Sequence, residues 1–477
     1  MVLRQFTIDF KNIGKQEFIR LDFGYRYFFD IKEANVFSSE NNVMLKNILK
    51  SIEMKKVAKG ELEEPEILVD IGNIERRFNN LISCEEVEAI GSDKNILQEG
   101  DIIIPKLQPQ MGNMVLNLEH RRYIGSSELL EYKVTTENNP HFIYYLFTSK
   151  KFLSDLAKLE SGKTHRRVNP ADLFEIKIPC IPKFIQDQIV AKIEPIEKKI
   201  KELKSSVKEP EKIIDQVFAR EFGFNLEKFE KDKKNKLFET DFLSISKNNL
   251  LRLSSHFHHK KLENIEEKLK DKNFWVPVNS IFKISGGKRI PKGQTFSNEE
   301  TDYFYLRPNE ISIYGVDRDN IPFLSTELYN RLKKYKIVSG ELCVSIVGTS
   351  GKVALINTEK LRIKKENLIL SENFIKLTPK KNINNLFYFY YFWSFIFQAQ
   401  ADQEYTITSI KALGIDKWSY IKVPNIPFSG QERIVEEIKN ELDKQKQIKQ
   451  KIESERNKID EIIDCHLKAC NKKLYIT

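Results

Sequence analysis

The densest group of side chains that could do chemistry lies in the turn-rich segment SGKTHRRVNP at 161–170, which contains the basic sequence KTHRR. Arginine or lysine can donate to guanine in the DNA major groove, asparagine or glutamine can pair with adenine, and lysines can contact phosphates. The chemistry that this segment favours is therefore hydrogen bonding and charge pairing with DNA.

Further polar side chains at predicted turns complete the candidate set. In the first half of the chain the candidate DNA-contacting residues are Lys106, Gln108, Gln110, Asn113, Lys163, Thr164, His165, Arg166 and Arg167. In the second half they are Lys288, Arg289, Lys292, Arg307, Asn309, Ser350, Lys352, Thr406, Thr408, Ser409 and Lys411. The alternative at each position is an ordinary solvated turn, because charged loops are commonly just surface.

Motifs for catalysis or metal binding are not evident in the sequence. VNPAD at 168–172 lacks the aromatic residue that a methyltransferase motif of the NPPY kind needs, and GTSGK at 348–352 is too short for a GxxxxGK[ST] phosphate-binding loop. His256, His258 and His259 are close together but have no spaced cysteine or carboxylate set. We therefore predict no catalytic residue, no metal site and no cofactor bound by this chain.

The elements that must position the candidate residues are repeated. IKIPCIPKFIQDQIVAKI at 176–193 and IKVPNIPFSGQERIVEEI at 421–438 align without a gap at an offset of 245, with nine of eighteen positions identical. The Ile-Lys-Ile/Val-Pro alternation predicts the last strand of a domain, which the prolines end because they remove backbone donors. A repeat of this kind predicts two similar units.

A long helix is predicted to follow each copy. In the first, apolar residues alternate at spacings of four and three, which is typical of a coiled-coil seam. These residues are Ile189, Ile193, Ile196, Ile200, Leu203 and Val207. The second helix keeps a similar spacing with polar breaks at Gln445 and Glu455. Each helix needs a partner, and the other copy is the obvious one; a bend or an interruption is expected near Pro210.

The segments before each copy also occur in the same order. RLDFGY at 20–25 and RLSSHF at 252–257 open the halves, and β-hairpins are predicted at 99–117 and 339–357. Three pairs of residues match between the hairpins: Gly100 and Gly340, Asp101 and Glu341, Gly112 and Gly351. Helices at 140–160 and 385–400 and polar loops at 161–170 and 403–414 follow.

Composition favours a polyanionic partner and a location in the cytoplasm. The net charge is +10, with 78 basic and 68 acidic residues, although a compositional bias would give the same excess. Residues 1–10 lack the apolar core of a signal peptide. The apolar run at 386–397 is shorter than the about 18 residues that cross a bilayer, so it predicts a buried helix. Five scattered cysteines suit a reducing compartment.

These features predict an α+β fold with two similar β-rich globular domains and packed helices, joined by two long coiled-coil helices as a pseudo-two-fold internal repeat. The predicted bounds are 1–182 for the first domain, 183–222 for the first spacer helix, 223–249 for a charged connection, 250–427 for the second domain and 428–470 for the second spacer helix.

Two similar domains held apart by paired helices would suit a DNA target with two half-sites. A helix from about Ile185 to Glu221 would be roughly 55 Å long at about 1.5 Å per residue, which exceeds one turn of duplex. Because the two domains need not share side chains at their tips, the half-sites could differ. The predicted target is therefore bipartite and asymmetric.

The doubled order, the repeated IxIPxIPxxxQxxIVxxI boundary, the hairpin GELCVSIVGTSGKVALI and the RLDFGY opening resemble the DNA-specificity subunits of Type I restriction-modification enzymes. The resemblance covers about residues 15–470. It implies two target-recognition domains joined by two antiparallel conserved helices, and DNA recognition without catalysis. The first hairpin departs from the pattern, because its tip reads PKLQPQMG instead of a GTSG-like turn.

The resemblance also implies partners. They would be double-stranded DNA, two methyltransferase subunits and a restriction/translocase subunit. No association with a membrane is expected. Adenine methylation would belong to the partners, which would bind S-adenosylmethionine, ATP and Mg²⁺.

Two other hypotheses for the function stay open. One is the recognition subunit of a Type IIB-like restriction-methyltransferase, and the other is a coiled-coil scaffold that binds proteins through its two domains. Basic loops at matching positions favour DNA, since a scaffold would more naturally expose apolar patches there.

Overall fold

A computed structural model describes the chain at residues 42–161, 166–235, 239, 258–347, 351–407 and 411–471. The predicted openings RLDFGY at 20–25 and RLSSHF at 252–257 lie outside these residues. The chain groups into two compact units, one formed by Met1–Ser206 with Lys449–Thr477 and the other by Val207–Ile448. Each unit thus combines one globular part with part of the long helices, and the predicted domain bounds remain a prediction.

In its described residues, the first unit contains two sheets and one strand pair. Its strands are β1 (Asn42–Met44), β2 (Leu49–Ser51), β3 (Lys56–Val57), β4 (Gly60–Val69), β5 (Glu85–Ile90), β6 (Lys94–Leu97), β7 (Ile102–Pro105), β8 (Val115–Leu116), β9 (Tyr123–Gly125), β10 (Leu129–Val134) and β11 (Lys177–Pro179). An antiparallel sheet has the order β2-β10-β7-β8, a mixed sheet has the order β3-β6-β9-β4-β5, and β1 pairs with β11.

The second unit repeats the antiparallel sheet and the strand pair. Its strands are β12 (Trp275–Pro277), β13 (Phe282–Gly286), β14 (Phe304–Leu306), β15 (Ile311–Ser312), β16 (Gly315–Val316), β17 (Lys336–Ile337), β18 (Leu342–Ser345), β19 (Val353–Leu355), β20 (Leu368–Leu370), β21 (Phe374–Pro379), β22 (Thr406–Ile407), β23 (Lys411–Ala412) and β24 (Lys422–Pro424). The sheet β13-β21-β18-β19 and the pair β12–β24 match their counterparts in the first unit, whereas the sheet β14-β20-β17 differs.

Helices cover these sheets and continue into the spacer segments. They are α1 (Pro140–Phe147), α2 (Lys150–Leu159), α3 (Pro170–Phe174), α4 (Lys183–Ser205), α5 (Pro210–Phe222), α6 (Leu226–Lys234), α7 (Glu263–Lys268), α8 (Val278–Ile281), α9 (Thr326–Leu332), α10 (Asn385–Trp393), α11 (Phe395–Glu404) and α12 (Phe428–Asn471). The α+β class and the doubled architecture predicted from the sequence are confirmed.

The most apolar run of the sequence forms the core of the second unit. The predicted buried helix is divided into α10 and α11 at Ser394, and its aromatic side chains Phe387, Tyr391 and Phe392 are fully buried. Phe218 of α5 packs edge-on against Phe387 and Tyr391, with ring centroids 5.7 and 5.9 Å apart. No helix in the described residues is both long and apolar enough to cross a membrane.

The interruption predicted near Pro210 is present. The helix α4 ends at Ser205 and α5 begins at Pro210, so the proline occupies the first turn, where its missing N–H costs nothing. Pro195 lies inside α4 without ending it. The predicted spacer at 183–222 is therefore two helices.

Polar pairs show that the long helices pack antiparallel within each unit. In the first unit α4 meets α12 through Lys192 with His466 at 3.5 Å and Lys199 with Glu455 at 2.6 Å. In the second unit the backbone N–H of Lys208 donates to the side-chain oxygen of Gln445 on α12 at 2.9 Å, and Arg220 of α5 donates to Glu437. Residue numbers rise along one helix as they fall along the other. Both polar breaks predicted in the seam, Gln445 and Glu455, thus have partners.

The glutamine of the repeated boundary has the same role in both units. Gln186 accepts a hydrogen bond from the backbone N–H of Asn139 at 2.7 Å, and Gln431 accepts one from Asn384 at 2.8 Å. Each amide nitrogen donates to the carbonyl five residues earlier, at 2.7 and 2.9 Å. Because Asn139 and Asn384 cap α1 and α10, this buried side chain joins the start of the long helix to the domain. The identity at this position has a structural cause.

The predicted charged connection at 223–249 contains a helix that the sequence pattern did not indicate, α6 at residues 226–234. Asn225 caps the helix by accepting from the N–H of Lys228 at 2.9 Å. Phe229 is buried against Phe395, with ring centroids 4.8 Å apart. Leu226 is partly buried against the same core. Two apolar side chains on an otherwise charged segment thus dock the helix, and they form no periodic pattern in the sequence.

Candidate DNA-recognition surfaces

The hairpin predicted in the first unit is formed by β7 and β8, which pair Ile102 with Leu116 and Ile103 with Val115. Its tip holds a single 3-10 turn, and Gly112 there has a φ of +76°. A Cβ at this position would lie 2.7 Å from the side chain of Arg77, so glycine is required by both the backbone and the packing. The matching Gly351 also has a positive φ, of +90°.

The predicted basic loop packs directly on this tip. The N–H of Gln108 donates to the carbonyl of Arg166 at 3.0 Å, and the N–H of Val168 donates to that of Lys106 at 3.0 Å. Four candidate residues, Lys106, Gln108, Arg166 and Arg167, are thereby brought together. The candidates Lys163, Thr164 and His165 lie outside the described residues.

A carboxylate holds one arginine of this surface. Arg167 donates from Nε and Nη2 to the two oxygens of Glu128, at 3.0 and 2.9 Å. The hydrogen bonds that Arg167 donates to Glu128 and the negative charge of Glu128 raise the pKa of Arg167, so the guanidinium stays charged. The pair fixes the direction of a side chain that is 47% exposed.

One candidate at the hairpin tip needs correction, and another is only partly exposed. Asn113 is buried and donates to the carbonyl of Ile74 at 2.6 Å, so its amide supports the hairpin instead of facing a ligand. Gln110 is half-buried, and its Oε1 has no hydrogen-bond partner among the described residues. The predicted exposure of Asn113 was wrong, because this part of the tip packs against the segment before β5.

The second unit has the same arrangement of hairpin and loop. β18 and β19 form the hairpin, with Val344 opposite Val353. Val347 bridges to Ala412, as Leu107 bridges to Arg167 in the first unit. The Lys352 ammonium donates to the carbonyl of Pro308 at 3.3 Å, which joins the hairpin to the turn after β14.

The remaining candidates of this loop are only partly covered by the structure. Thr406 and Lys411 belong to β22 and β23. Ser350, Thr408 and Ser409 lie outside the described residues.

The segment SGGKRIPKG reaches this surface through a close backbone contact. The N–H of Gly287 donates to the carbonyl of Phe374 at 3.0 Å, and that of Lys288 donates to Leu370 at 3.1 Å. A Cβ on Gly287 would lie 2.0 Å from the carbonyl oxygen of Ser371. Glycine is therefore what lets Lys288 and Arg289 approach the β20–β21 turn, while Lys292 is exposed further along.

A second carboxylate holds Arg289. The Arg289 Nε donates to Glu372 at 2.7 Å, and the Tyr305 hydroxyl lies 3.2 Å from the other oxygen of Glu372 and 2.7 Å from the carbonyl of Lys288. Burial acts to raise the pKa of Glu372, but hydrogen bonds from Arg289, its own N–H and Tyr305 outweigh it and lower the pKa. The pair is therefore ionised.

Arg307 is held within its own turn. It donates from Nε and Nη2 to Glu310 at 3.0 and 2.6 Å, and its guanidinium lies 5.3 Å from the centre of the Phe296 ring. Asn309 between them is exposed. This turn and Lys352 share the contact at Pro308, so the structure groups these candidates too.

Sequence reasoning missed the three glutamates that hold these arginines. Glu310 is three residues after Arg307, a spacing that could have indicated the pair. Glu128 and Glu372 lie 39 and 83 residues from their arginines, and such separations leave no pattern in one sequence.

We predict that Gly287→Ala lowers the free energy of unfolding of the second unit by about 1–3 kcal/mol, because the added methyl overlaps backbone that cannot give way easily. Urea unfolding followed by tryptophan fluorescence measures this. Gly286→Ala is the matched control, since its Cβ would lie 3.3 Å from the flexible end of Ile415. Equal stability of the two variants would contradict the prediction.

Comparison with known proteins places the chain in a family. A family model described as the Type I restriction modification DNA specificity domain matches residues 39–213 and 272–455. No curated protein matches the chain by sequence.

Three solved structures match most of the chain at low sequence identity. One, from work on complex assembly and conformational transition of the type I R-M system, has 13% identity and a TM-score of 0.46, over 91% of this chain and 98% of that chain. The HsdS subunit from Thermoanaerobacter tengcongensis has 14% identity and a TM-score of 0.34, over 90% and 96%. The Type-I restriction-modification S subunit from M. genitalium has 14% identity and a TM-score of 0.35, over 89% and 95%.

The family model matches both halves of the chain separately and takes in most of each. The chain belongs to the family of Type I restriction-modification DNA specificity subunits.

Proposed function

We propose that the chain selects a bipartite, asymmetric DNA sequence, with each unit reading one part. The observation that carries the proposal is the shared framework: in both units a hairpin tip is bridged to the loop before the last strand, at Leu107–Arg167 and at Val347–Ala412. The side chains placed on this framework differ, since one tip reads PKLQPQMG and the other VGTSGK. A common framework with different tips suits two unlike half-sites.

The chain itself performs no catalysis in this proposal. It directs adenine methylation, or restriction, by partner subunits to the DNA sequence that it has selected. The partners are two methyltransferase subunits and a restriction/translocase subunit, and they bind S-adenosylmethionine, ATP and Mg²⁺. Membership of the specificity family supports this division of labour.

Selection from a pool of random DNA duplexes tests the proposal. The purified chain, with and without its methyltransferase partner, is incubated with the pool at several salt concentrations. We expect two short motifs at a fixed spacing to be enriched, with affinity that falls steeply as salt rises. Salt-sensitive binding without any enriched motif, with the partner present, would contradict the proposal and favour a scaffold.

The lysines are predicted to act on affinity without acting on sequence preference. Lys288→Gln removes one exposed cation beside the second hairpin. We expect it to weaken binding to all sequences about equally and to reduce the slope of log K against log salt by about one. Lys272→Gln, an exposed lysine of the same unit outside the candidate surface, is the control. A changed motif in the Lys288 variant would contradict this assignment.

A further inference from the structure

Two arginines, one in each unit, are held by a carboxylate along one edge of the guanidinium group. Arg167 uses Nε and Nη2 for Glu128, and Arg289 uses Nε for Glu372. A guanidinium carries five N–H donors in a planar fork, so the outer edge of each fork keeps its donors. In the part of the chain that the structure describes, no other side chain accepts a hydrogen bond from either group.

The two carboxylates occupy corresponding places in the fold. Glu128 directly precedes β10, and Glu372 lies two residues before β21. These strands hold the same position in the two antiparallel sheets, next to the first strand of the hairpin. The arginines come from different segments, Arg167 from the loop before β11 and Arg289 from the segment after β13. The glutamate at the corresponding position of each sheet thus binds an arginine, but the arginine comes from a different segment in each unit.

The paired charges disfavour a phosphate as the ligand. Each carboxylate cancels the charge of its arginine, so the pair gives little net attraction to a polyanion. The donors of the outer edge remain, and the arginine side chains are 47% and 80% exposed. Neutral acceptors, spaced to meet two parallel N–H groups, suit such a group better than an anion does. Guanine offers this pattern through O6 and N7 in the major groove.

We infer that each recognition surface reads one guanine through the outer edge of its carboxylate-held arginine, Arg167 in the first unit and Arg289 in the second. This rests on the proposed function, because it names a base that the two surfaces recognise. Glu128 and Glu372 are positioning residues, which fix the plane of the fork before DNA arrives and so reduce the ordering cost of binding.

Replacement of guanine by 7-deazaguanine in the selected duplex tests the inference, since it removes the N7 acceptor and keeps the base pair. With the full chain and its methyltransferase partner, we expect one such position in each half-site to lower affinity about tenfold. In Arg289→Ala the second half-site becomes insensitive to the replacement and the first keeps its sensitivity. Arg167→Ala gives the reverse.

Substitution of a carboxylate distinguishes a positioning role from a merely structural one, because it changes non-specific DNA binding and guanine discrimination in opposite directions. In Glu372→Gln the arginine loses its charged partner, so binding to non-specific DNA becomes tighter while discrimination at the same guanine falls. Arg331→Ala is the control, because this exposed arginine of the same unit also pairs with a glutamate, Glu327 at 3.8 Å, within α9. We expect it to leave both half-sites unchanged.

The outcomes separate the inference from the proposed function. A half-site without guanine, or sensitivity to 7-deazaguanine that persists in the matching arginine variant, overturns the inference and leaves bipartite recognition in place. Absence of any enriched sequence overturns the proposed function itself.

Discussion

Arg456→Ala is expected to lower the free energy of unfolding of the first unit by about 3–5 kcal/mol, the usual cost of breaking a buried charged network. Arg456 lies on α12 and is 1% exposed. It donates to the carbonyl and hydroxyl oxygens of Thr148, at 3.1 and 2.9 Å, and to the carbonyl of Arg77 at 3.1 Å. Alanine leaves the Arg77 carbonyl and the Thr148 hydroxyl oxygen without their donor from Arg456, while the Thr148 carbonyl keeps only its hydrogen bond from Arg77 Nε at 2.9 Å. The substitution also opens a cavity.

Neighbouring charges increase the expected cost. Arg77 donates from Nη2 to both oxygens of Asp460 at 2.8 and 2.6 Å, and Asp460 also accepts from the N–H of Lys150 at 3.3 Å. Burial raises the pKa of Glu197, and the charge of Arg456 opposes that rise. Without Arg456, the Glu197 carboxyl loses the charge that opposes this rise most strongly, and Lys204 alone remains to oppose it.

The measurement must report on the first unit alone. The three tryptophans, Trp275, Trp393 and Trp418, all belong to the second unit, so their fluorescence follows only that unit. Amide hydrogen exchange of β7 and β10 reports on the first. In Arg456→Ala we expect these amides to lose protection while the fluorescence transition stays in place. Lys451→Ala, an exposed position on the same helix, is the control, and unchanged exchange in Arg456→Ala would contradict the prediction.

Asp215→Asn is expected to stabilise the second unit at pH 8 and to have little effect near pH 4. Burial raises the pKa of Asp215 to about 7, although the N–H of Phe395, which donates to Asp215 at 2.7 Å, opposes the rise. The raised pKa means that the folded state keeps a proton that the unfolded state loses from about pH 4 upward. Stability therefore falls as the pH rises toward 7, by linkage.

The size of the effect follows from the shift. For a pKa raised from its ordinary value of 3.8 to about 7, the loss of stability amounts to about 2–4 kcal/mol. Asparagine removes this loss because it does not ionise. Urea unfolding followed by tryptophan fluorescence at pH 5 and pH 8 measures the difference between variant and wild type. Glu211→Gln, an exposed carboxylate one turn earlier, is the control. A difference that does not change with pH would contradict the prediction.

Asp215 and Asp460, which appear in the two predictions above, show how far the internal repeat extends. Asp215 and Asp460 are 245 residues apart, the offset of the boundary motif, and so are the residues whose N–H groups they accept, Phe395 and Lys150. Each aspartate accepts a hydrogen bond from the backbone N–H of the first residue of a corresponding helix, α11 for Asp215 and α2 for Asp460. The surrounding sequences have diverged too far for this correspondence to appear without the structure.

Much of the fold could be predicted because its causes are local. The boundary motif, the alternating strands and the seam of the long helices each depend on spacing within a few turns or strands, and all are present. Phe229 shows where this fails, since its buried ring helps to dock α6 and no periodicity indicates it. The packing of Phe229 against Phe395, a tertiary contact, holds that segment against the second unit as a helix.

The candidate surfaces were predicted less completely than the fold. Exposed loops were located correctly for Gln108, Arg167 and Arg289, because basic residues in turn-rich sequence face solvent. Asn113 was wrongly placed at the surface, since its burial depends on the segment before β5. The glutamates that hold the arginines are invisible in the sequence, because contact between distant segments creates the pairs.

The make-up of the first unit has a consequence for synthesis on the ribosome. This unit takes Arg456 and Asp460 from residues 449–477, whereas the second unit is complete at Ile448. Domains usually fold as they emerge, the N-terminal one first. Here the part of the first unit that emerges first lacks the hydrogen bonds from Arg456 to Thr148 and Arg77 until residues 449–477 have been translated. The nascent first half is thus the stage at which chaperones or premature termination matter most for this protein.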